Sequence, residues 1–212
     1  MNLNNYQNIV QSLPKHVTLV AVSKGQPIEK IQMLYDLGQR HFGENFEQEL
    51  SLKQKSLPSD IEWHFLGNIQ SNKLKKIFAS AALVQSVSRL KVVKALIDRD
   101  DETIKNILLQ YKLGNEKTKA GLNRNEIMEA LEICSEVDHV KIQGLMGIAE
   151  NTTNTQTINN QFCEIADLFK SIKEKDKEIS TLSMGMSSDY NLAIDCGSNM
   201  VRLGTILFGS RK

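Results

Sequence analysis

The first candidate for chemistry is a lysine at the end of an apolar run. Lys24 follows the residues VTLVAVS and precedes Gly25, a position where a cationic side chain is poorly solvated. The ordinary pKa of a lysine amine is about 10.4, and desolvation lowers that pKa and exposes a nucleophile toward aldehydes. Taken alone, Lys24 also fits a lysine whose charge reaches solvent from a strand end. The chemistry that Lys24 predicts is a Schiff base.

Polar residues accompany two later apolar runs in the same way. Glu44 and Asn45 follow the residues HFG, and His64 lies in the run WHFLG, which leads into the polar stretch 70–73. If these runs are parallel strands of a barrel, their carboxyl ends meet at one rim, and these side chains lie near Lys24. His64 is therefore a further candidate for the pocket. The alternative for His64 is packing in the core with a hydrogen-bonded ring nitrogen.

Two turns rich in small residues predict an anion site. Residues 183–188 (SMGMSS) and residues 202–205 (RLGT) each contain glycine and hydroxyl side chains. Small residues let backbone N–H groups approach an anion, and hydroxyl groups add donors. Either turn alone is also typical of an ordinary loop. Together with Lys24 they indicate a phosphorylated aldehyde: pyridoxal phosphate is the usual candidate, and lysine aldolases acting on sugar phosphates share the arrangement.

These residues lie within an alternation of apolar runs and amphipathic stretches. Several runs are continuously apolar, as in strands that are covered on both faces. Helical spacing of apolar residues lies between nearly all of them, and a leading helix is predicted at about 4–13. The predicted β-type runs are 17–23, 41–43, 63–67, 83–87, 104–111, 140–148, 181–184 and 201–208.

This alternation predicts an α/β fold with a parallel sheet and crossover helices. Eight units within 212 residues favour a single (β/α)8 TIM barrel with an extra N-terminal helix over an open doubly wound sheet. One helix is predicted to be capped by Asn123 or Asn125, and a long helix is predicted at about 155–177. Because no linker interrupts the pattern, we expect residues 1–212 to form one domain.

Composition excludes several classes of function. The 26 basic and 25 acidic residues leave a net charge of +1, which predicts neither nucleic-acid binding nor an anionic membrane surface. No apolar run approaches the roughly 20 residues of a membrane-spanning helix, and the polar N-terminus lacks the features of a signal peptide. Cys134, Cys163 and Cys196 form no C-x-x-C pair. We therefore expect no disulfide framework and no metal site, buried thiols, and a cytoplasmic location.

Six motifs together resemble a known family. They are VAVSKG, HFGEN, EWHFLGNIQSNK, GLMGIA, LSMGMSSDY and VRLGTILFG, in this order from about Thr18 to Gly209. The set resembles the pyridoxal 5′-phosphate homeostasis protein family, whose fold is similar to the barrel half of alanine racemase, the fold-type III group of pyridoxal phosphate proteins. The resemblance implies pyridoxal 5′-phosphate as the cofactor.

The resemblance also implies roles for residues at the matched positions. Lys24 would carry the cofactor as a Schiff base, Asn45 would lie near the ring's hydroxyl edge, and Met184 would line the pocket. His64 and the stretch 70–73 match a family motif for which no role is implied.

The phosphate end is implied by the last two motifs. Ser187, Gly204 and Thr205 would bind the phosphate. Arg202 would face either the ring nitrogen or the phosphate, and analogy with the racemase barrel favours the nitrogen. Residues 115–121 (NEKTKAG) resemble a family loop near the mouth of the site.

The implied function is a protein that buffers or delivers pyridoxal phosphate inside the cell without catalysing a reaction. A guanidinium facing the ring nitrogen would leave that nitrogen unprotonated and the ring a poor electron sink. Racemisation also needs a second acid/base group, and we expect no further domain after Lys212 to provide it. The alternatives are a pyridoxal phosphate-dependent amino-acid racemase-type enzyme and a lysine aldolase. Apo pyridoxal phosphate enzymes are candidate transient partners, and we expect a monomer.

Overall fold

Eight parallel strands close into a barrel in chain order, from β1 to β8 and back to β1. The structure is a computed structural model that describes residues 3–99, 103–114 and 120–209. The predicted (β/α)8 barrel is confirmed. The strands are β1 (Thr18–Val22), β2 (His41–Glu44), β3 (Glu62–Phe65), β4 (Leu83–Val87), β5 (Lys105–Gln110), β6 (Val140–Met146), β7 (Thr181–Ser183) and β8 (Met200–Leu203).

Helices precede the barrel and connect successive strands. The leading helix α1 is present, and the capping box at α6 begins at Asn123, whose side chain accepts the N–H of Glu126 and satisfies a donor at the helix start. A short 3₁₀ turn at Ser71–Lys73 precedes α4. The helices are α1 (Leu3–Ser12), α2 (Ile28–Asp36), α3 (Glu47–Ser56), α4 (Leu74–Phe78), α5 (Leu90–Ile97), α6 (Arg124–Cys134), α7 (Thr155–Lys173), α8 (Tyr190–Asp195) and α9 (Thr205–Phe208).

Two elements differ from the sequence prediction. The run 201–208 was expected to be strand throughout, but β8 ends at Leu203 and the rest forms α9, because a short apolar run fits a buried helix turn as well as a strand. Helix α3 was not predicted at all. Its buried residues are Glu47, Leu50 and Lys53, so it has charged groups where an amphipathic helix shows an apolar stripe.

The core has two layers because successive side chains of a strand point to opposite faces. Outside the barrel, one large apolar cluster fills the space between strands and helices. Inside, a smaller cluster is formed by Val20, Leu83, Leu108, Met146 and Met200. Because this inner cluster is small, polar side chains occupy the rest of the barrel interior, and these side chains matter for the site.

The cysteines differ from expectation in one respect. Cys134 is buried, but Cys163 is exposed on α7 and Cys196 is half-buried after α8. Of the segment 115–121, positions 115–119 lie outside the described residues, as does the C-terminal pair Arg211 and Lys212. Within the described part of the chain, no helix is both long and apolar enough to cross a membrane.

Candidate functional site

A cavity opens at the carboxyl ends of the strands, where the barrel interior meets the loops. Its volume is about 390 Å³, within the range of roughly 300–1,000 Å³ typical of small-molecule sites. Loops after β1, β2, β7 and β8 contribute its polar wall. The lining residues are Val22, Lys24, Asn45, Leu66, Met146, Ile148, Met186, Ser187, Ser188, Arg202, Gly204 and Thr205.

Helix α3 holds the backbone on both sides of Lys24. On one side, the Nζ of Lys53 donates a hydrogen bond to the carbonyl oxygen of Ser23 at 2.8 Å. On the other side, the N–H of Gly25 donates to Glu49 Oε2 at 2.8 Å. Gly25 has a φ of +66°, a left-handed conformation that glycine adopts readily. These contacts determine where the chain presents the half-buried side chain of Lys24.

Glu44 is a fully buried carboxyl group next to this loop. Its Oε1 accepts hydrogen bonds from Ser23 Oγ at 2.6 Å and from Lys53 Nζ at 2.8 Å. Its Oε2 has no hydrogen-bond partner among the described residues. Burial raises the pKa of Glu44 to about 7, although Lys53 acts in the opposite direction. The contact between β2 and α3 therefore contains a carboxyl group, that of Glu44, which titrates near neutral pH.

Hydroxyl and backbone N–H groups gather on the side of the cavity formed by the last two loops. The Oγ of Ser187 accepts the N–H groups of Gly204 and Ile206, both at 3.4 Å. Ser188 and Thr205 add two exposed hydroxyl groups to the same wall. Donors of this kind suit an anion such as a phosphate group.

The loop that carries Ser187 depends on a glycine. Gly185 has a φ of +97°, and a Cβ at this position would lie 2.9 Å from the Cα of Tyr190, so a larger residue is strained there. The side chain of Asp189 accepts the N–H of Met186 at 2.6 Å. The turn from β7 into α8 is therefore held by a hydrogen bond between two of its own residues.

Arg202 is a buried cation in the cavity wall. One terminal nitrogen donates to Ser183 Oγ at 2.6 Å, and the other donates to the carbonyl oxygen of Gly147 at 2.8 Å. Burial lowers the pKa of Arg202 to about 10, with the nearby charge of Asp189 opposing this. The guanidinium is therefore still protonated at neutral pH, and its position is set by β7 and the loop after β6.

A chain of hydrogen bonds runs from Arg202 down the barrel interior. Ser183 Oγ donates to Gln85 Oε1 at 2.7 Å, so the amide nitrogen of Gln85 is the donor to His64 Nδ1 at 2.8 Å. Burial lowers the pKa of His64 to about 3, so the ring is neutral with its proton on Nε2. That proton points to His41 Nδ1, 3.1 Å away.

Two predicted site residues lie outside the cavity wall. Met184 is fully buried in the outer core, because strand alternation turns Ser183 inward and Met184 toward the helices. Met146 and Met186 line the cavity instead. His64 lies deeper in the barrel, with both ring nitrogens hydrogen-bonded, so it supports the wall through the chain that ends at Arg202.

The cavity can condense an amine with an aldehyde and hold an anion. Among the described residues that line it, Lys24 and Arg202 carry the ionisable side chains, and the other polar groups are amides and hydroxyls. Within the described ranges, no three His, Cys, Asp or Glu side chains come together as a metal site. The geometry points to a ligand that is both carbonyl-bearing and anionic.

Comparison with known proteins identifies the family. The family model described as alanine racemase, N-terminal domain, matches residues 3–212. A pyridoxal phosphate homeostasis protein from Pasteurella multocida (strain Pm70) is 37% identical over 98% of this chain and 93% of its own length. The chain belongs to the pyridoxal phosphate homeostasis protein family. A further member, from Escherichia coli (strain K12), is 34% identical over 93% of this chain and 87% of its own.

Solved structures agree with membership in the pyridoxal phosphate homeostasis protein family. PipY of Synechococcus elongatus PCC7942, solved without PLP, has a TM-score of 0.89 and 33% identity, covering 97% of this chain and 99% of PipY. PipY with PLP bound gives a TM-score of 0.88 at 34% identity. The family resemblance read from the six motifs is confirmed.

Alanine racemases share the barrel at much lower identity. The enzyme from Corynebacterium glutamicum has a TM-score of 0.76 and 16% identity, covering 93% of this chain and 57% of the racemase. At this identity the likeness shows the fold alone. The barrel of this homeostasis family member therefore corresponds to part of a racemase chain, as the sequence predicted.

Proposed function

We propose that this chain binds pyridoxal 5′-phosphate reversibly, as a Schiff base on Lys24, and takes part in intracellular pyridoxal phosphate homeostasis by buffering or delivering the cofactor. The observation that carries the proposal is a single cavity that holds both the Lys24 side chain and the donors around Ser187. The names of the relatives and the PLP bound to PipY support the same ligand.

The residues of the cavity fit the parts of this ligand. Ser187, Gly204 and Thr205 would bind the phosphate, because their hydroxyl and N–H groups converge on one wall. Asn45, which follows β2 on the rim, would lie near the ring hydroxyl group. When bound, pyridoxal phosphate supplies an aldehyde that condenses with an amine and a conjugated ring that withdraws electrons.

Arg202 would face the ring nitrogen. It lies on β8 itself, and its bonds to Ser183 and Gly147 hold the guanidinium in the barrel interior, whereas Gly204 and Thr205 come after the strand. A guanidinium whose pKa is about 10 keeps its proton at neutral pH. A ring nitrogen facing it would accept a hydrogen bond and stay unprotonated, which weakens the ring as an electron sink.

The residues that line the cavity support a role without catalysis. An amino-acid racemase needs acid/base groups on both faces of the ring. Lys24 would occupy one face, and among the described cavity-lining residues there is no His, Tyr, Cys, Asp or Glu for the other. A pyridoxal phosphate-dependent racemase-type enzyme is the second candidate, and the experiment below separates the two.

The proposal extends to the protein's setting. Residues 1–212 act as one pyridoxal phosphate-binding domain, as a monomer in the cytoplasm. Apo pyridoxal phosphate enzymes are transient recipients of the cofactor. Loops after β1, β2, β7 and β8 carry the polar lining of the cavity, which suits exchange of a bound ligand.

Spectroscopy tests the proposal. Adding pyridoxal phosphate to the purified protein is expected to produce the visible absorption of a protonated Schiff base. Lys24→Ala abolishes this absorption, whereas Lys91→Ala, on the exposed face of α5, retains it. Incubation with L-alanine is expected to yield no D-alanine. If Lys24→Ala still shows the Schiff-base absorption, the Schiff base is not on Lys24. Steady formation of D-alanine would show that the protein is a racemase instead of a cofactor binder.

A further inference from the structure

Two thiols meet on the outside of the barrel, on the helices α7 and α8. Cys163 lies on α7 and is exposed, and Cys196 caps the C-terminal end of α8. Their sulfur atoms are 3.2 Å apart, although 33 positions separate them in the chain. Neither residue lines the cavity, so the function proposed above does not use them.

A neighbouring amide gives the two sulfurs different roles. Asn159, one turn before Cys163 on α7, accepts a hydrogen bond from the Cys196 thiol through Oδ1 at 3.3 Å. The Nδ2 of Asn159 donates to Cys163 Sγ at 3.8 Å. Cys196 is half-buried and its thiol is held by this acceptor, whereas Cys163 is exposed. Cys163 is therefore the sulfur that a reagent from solvent reaches first, and Cys196 is the sulfur that resolves.

We propose that Cys163 and Cys196 form a reversible modification site, which a low-molecular-weight disulfide oxidises to an intramolecular disulfide joining α7 to α8. The Cys163 thiolate attacks one sulfur of the reagent, whose S–S bond breaks and releases one thiol. The Cys196 thiol then loses its proton to solvent, attacks the Cys163 sulfur and displaces the second thiol. Two protein thiols are oxidised by two electrons, and one reagent disulfide is reduced to two thiols.

The second step becomes easier once the first has occurred. The pKa of Cys196 is raised to about 12, mainly by burial and in addition by the hydrogen bond and charge of Cys163. In the mixed disulfide Cys163 carries no charge and no proton, so its two contributions disappear. The Cys196 sulfur already lies in contact with the Cys163 sulfur, which favours its attack over attack by a second external reagent.

The bond would leave the cavity largely unchanged. Helix α8 begins at Tyr190, close to Ser187 and Ser188, but the disulfide would form at its other end. Because the sulfurs are already in contact, little movement of α8 is required. The disulfide is therefore a staple that closes a loop of 33 positions, and such a loop raises stability mainly by restricting the unfolded chain.

The test uses oxidised glutathione on the full chain at about pH 8, followed by peptide mapping without reductant. The expected product links the Cys163 and Cys196 peptides, leaves Cys134 as a thiol, and reverts with excess reduced dithiothreitol. The linked protein is expected to unfold at a temperature roughly 5–10 °C higher than the reduced protein. Its affinity for pyridoxal phosphate is expected to change by less than about twofold.

Two variants assign the steps. Cys196→Ser is expected to stop at a glutathione adduct on Cys163, and Cys163→Ser is expected to form no disulfide. A stable adduct on Cys163 of the unmutated protein, a link involving Cys134, or no reaction would overturn the proposal. The peptide map of the unmutated protein decides the matter even if a variant fails to fold, and it is independent of pyridoxal phosphate binding.

Discussion

Replacing Glu44 by glutamine is expected to remove a pH dependence of stability. The pKa of Glu44 is about 7 in the folded protein instead of 4.5, because burial disfavours the charged form. The folded state therefore binds this proton more tightly than the unfolded chain does. The contribution of Glu44 to the free energy of unfolding is therefore fully present below about pH 4.5 and is lost as the pH rises through about 7. The loss is roughly 3 kcal/mol, at about 1.4 kcal/mol per pKa unit.

Urea unfolding between about pH 4.5 and 8 measures this loss. Glu44→Gln keeps the shape of the side chain and the acceptor for Ser23 and Lys53, but it cannot titrate. The free energy of unfolding of the unmutated protein minus that of Glu44→Gln is expected to fall by roughly 3 kcal/mol across the range. Most of the change should occur between about pH 5 and 7.

Two further variants separate the titration of Glu44 from that of other carboxyl groups. Glu29→Gln alters an exposed carboxyl group on α2 and is expected to leave the pH profile unchanged. Lys53→Met removes the cation that lowers the pKa of Glu44 and is expected to shift the transition to higher pH. If the unmutated protein and Glu44→Gln have parallel profiles, Glu44 is charged throughout the range and burial does not dominate.

Other parts of the site give two further predictions. Ser187→Ala is expected to weaken binding of pyridoxal phosphate by about 10-fold or more, since a hydrogen bond to a charged group contributes roughly 1.5–3 kcal/mol. Binding of unphosphorylated pyridoxal should be unaffected. Both affinities are measured by absorption titration. Equal losses for both ligands would remove Ser187 from the phosphate site. Gln85→Leu leaves Ser183 and His64 without their shared hydrogen-bond partner. It is expected to lower the free energy of unfolding, measured with urea, by about 1–3 kcal/mol. An unchanged value would mean that the buried chain of hydrogen bonds does not stabilise the barrel.

The barrel and its rim could be predicted because they depend on local patterns. Continuous apolar runs separated by helical spacing predict parallel strands, and their carboxyl ends predict where Lys24 and Asn45 lie. The elements that were missed have no such pattern. Helix α3 buries Glu47 and Lys53, and α9 continues the apolar run of β8.

The interior hydrogen-bond chain could not be predicted because it depends on register. Ser183 and Met184 are adjacent, and only the pairing of β7 with its neighbours determines which of them faces the barrel interior. Gln85 lies in the short run LVQSV, where alternation is too brief to assign a face. Contacts such as that between Cys163 and Cys196 join helices whose packing no local pattern specifies.

Whether Lys24 carries the cofactor is measured by reducing the pyridoxal phosphate complex with borohydride, which traps a Schiff base as a stable secondary amine. Peptide mapping by mass spectrometry then locates the adduct. A pyridoxyl phosphate group is expected on the peptide that contains Lys24, at close to one per chain. An adduct on another lysine, or no adduct in a protein that still binds the cofactor, would contradict a Schiff base on Lys24.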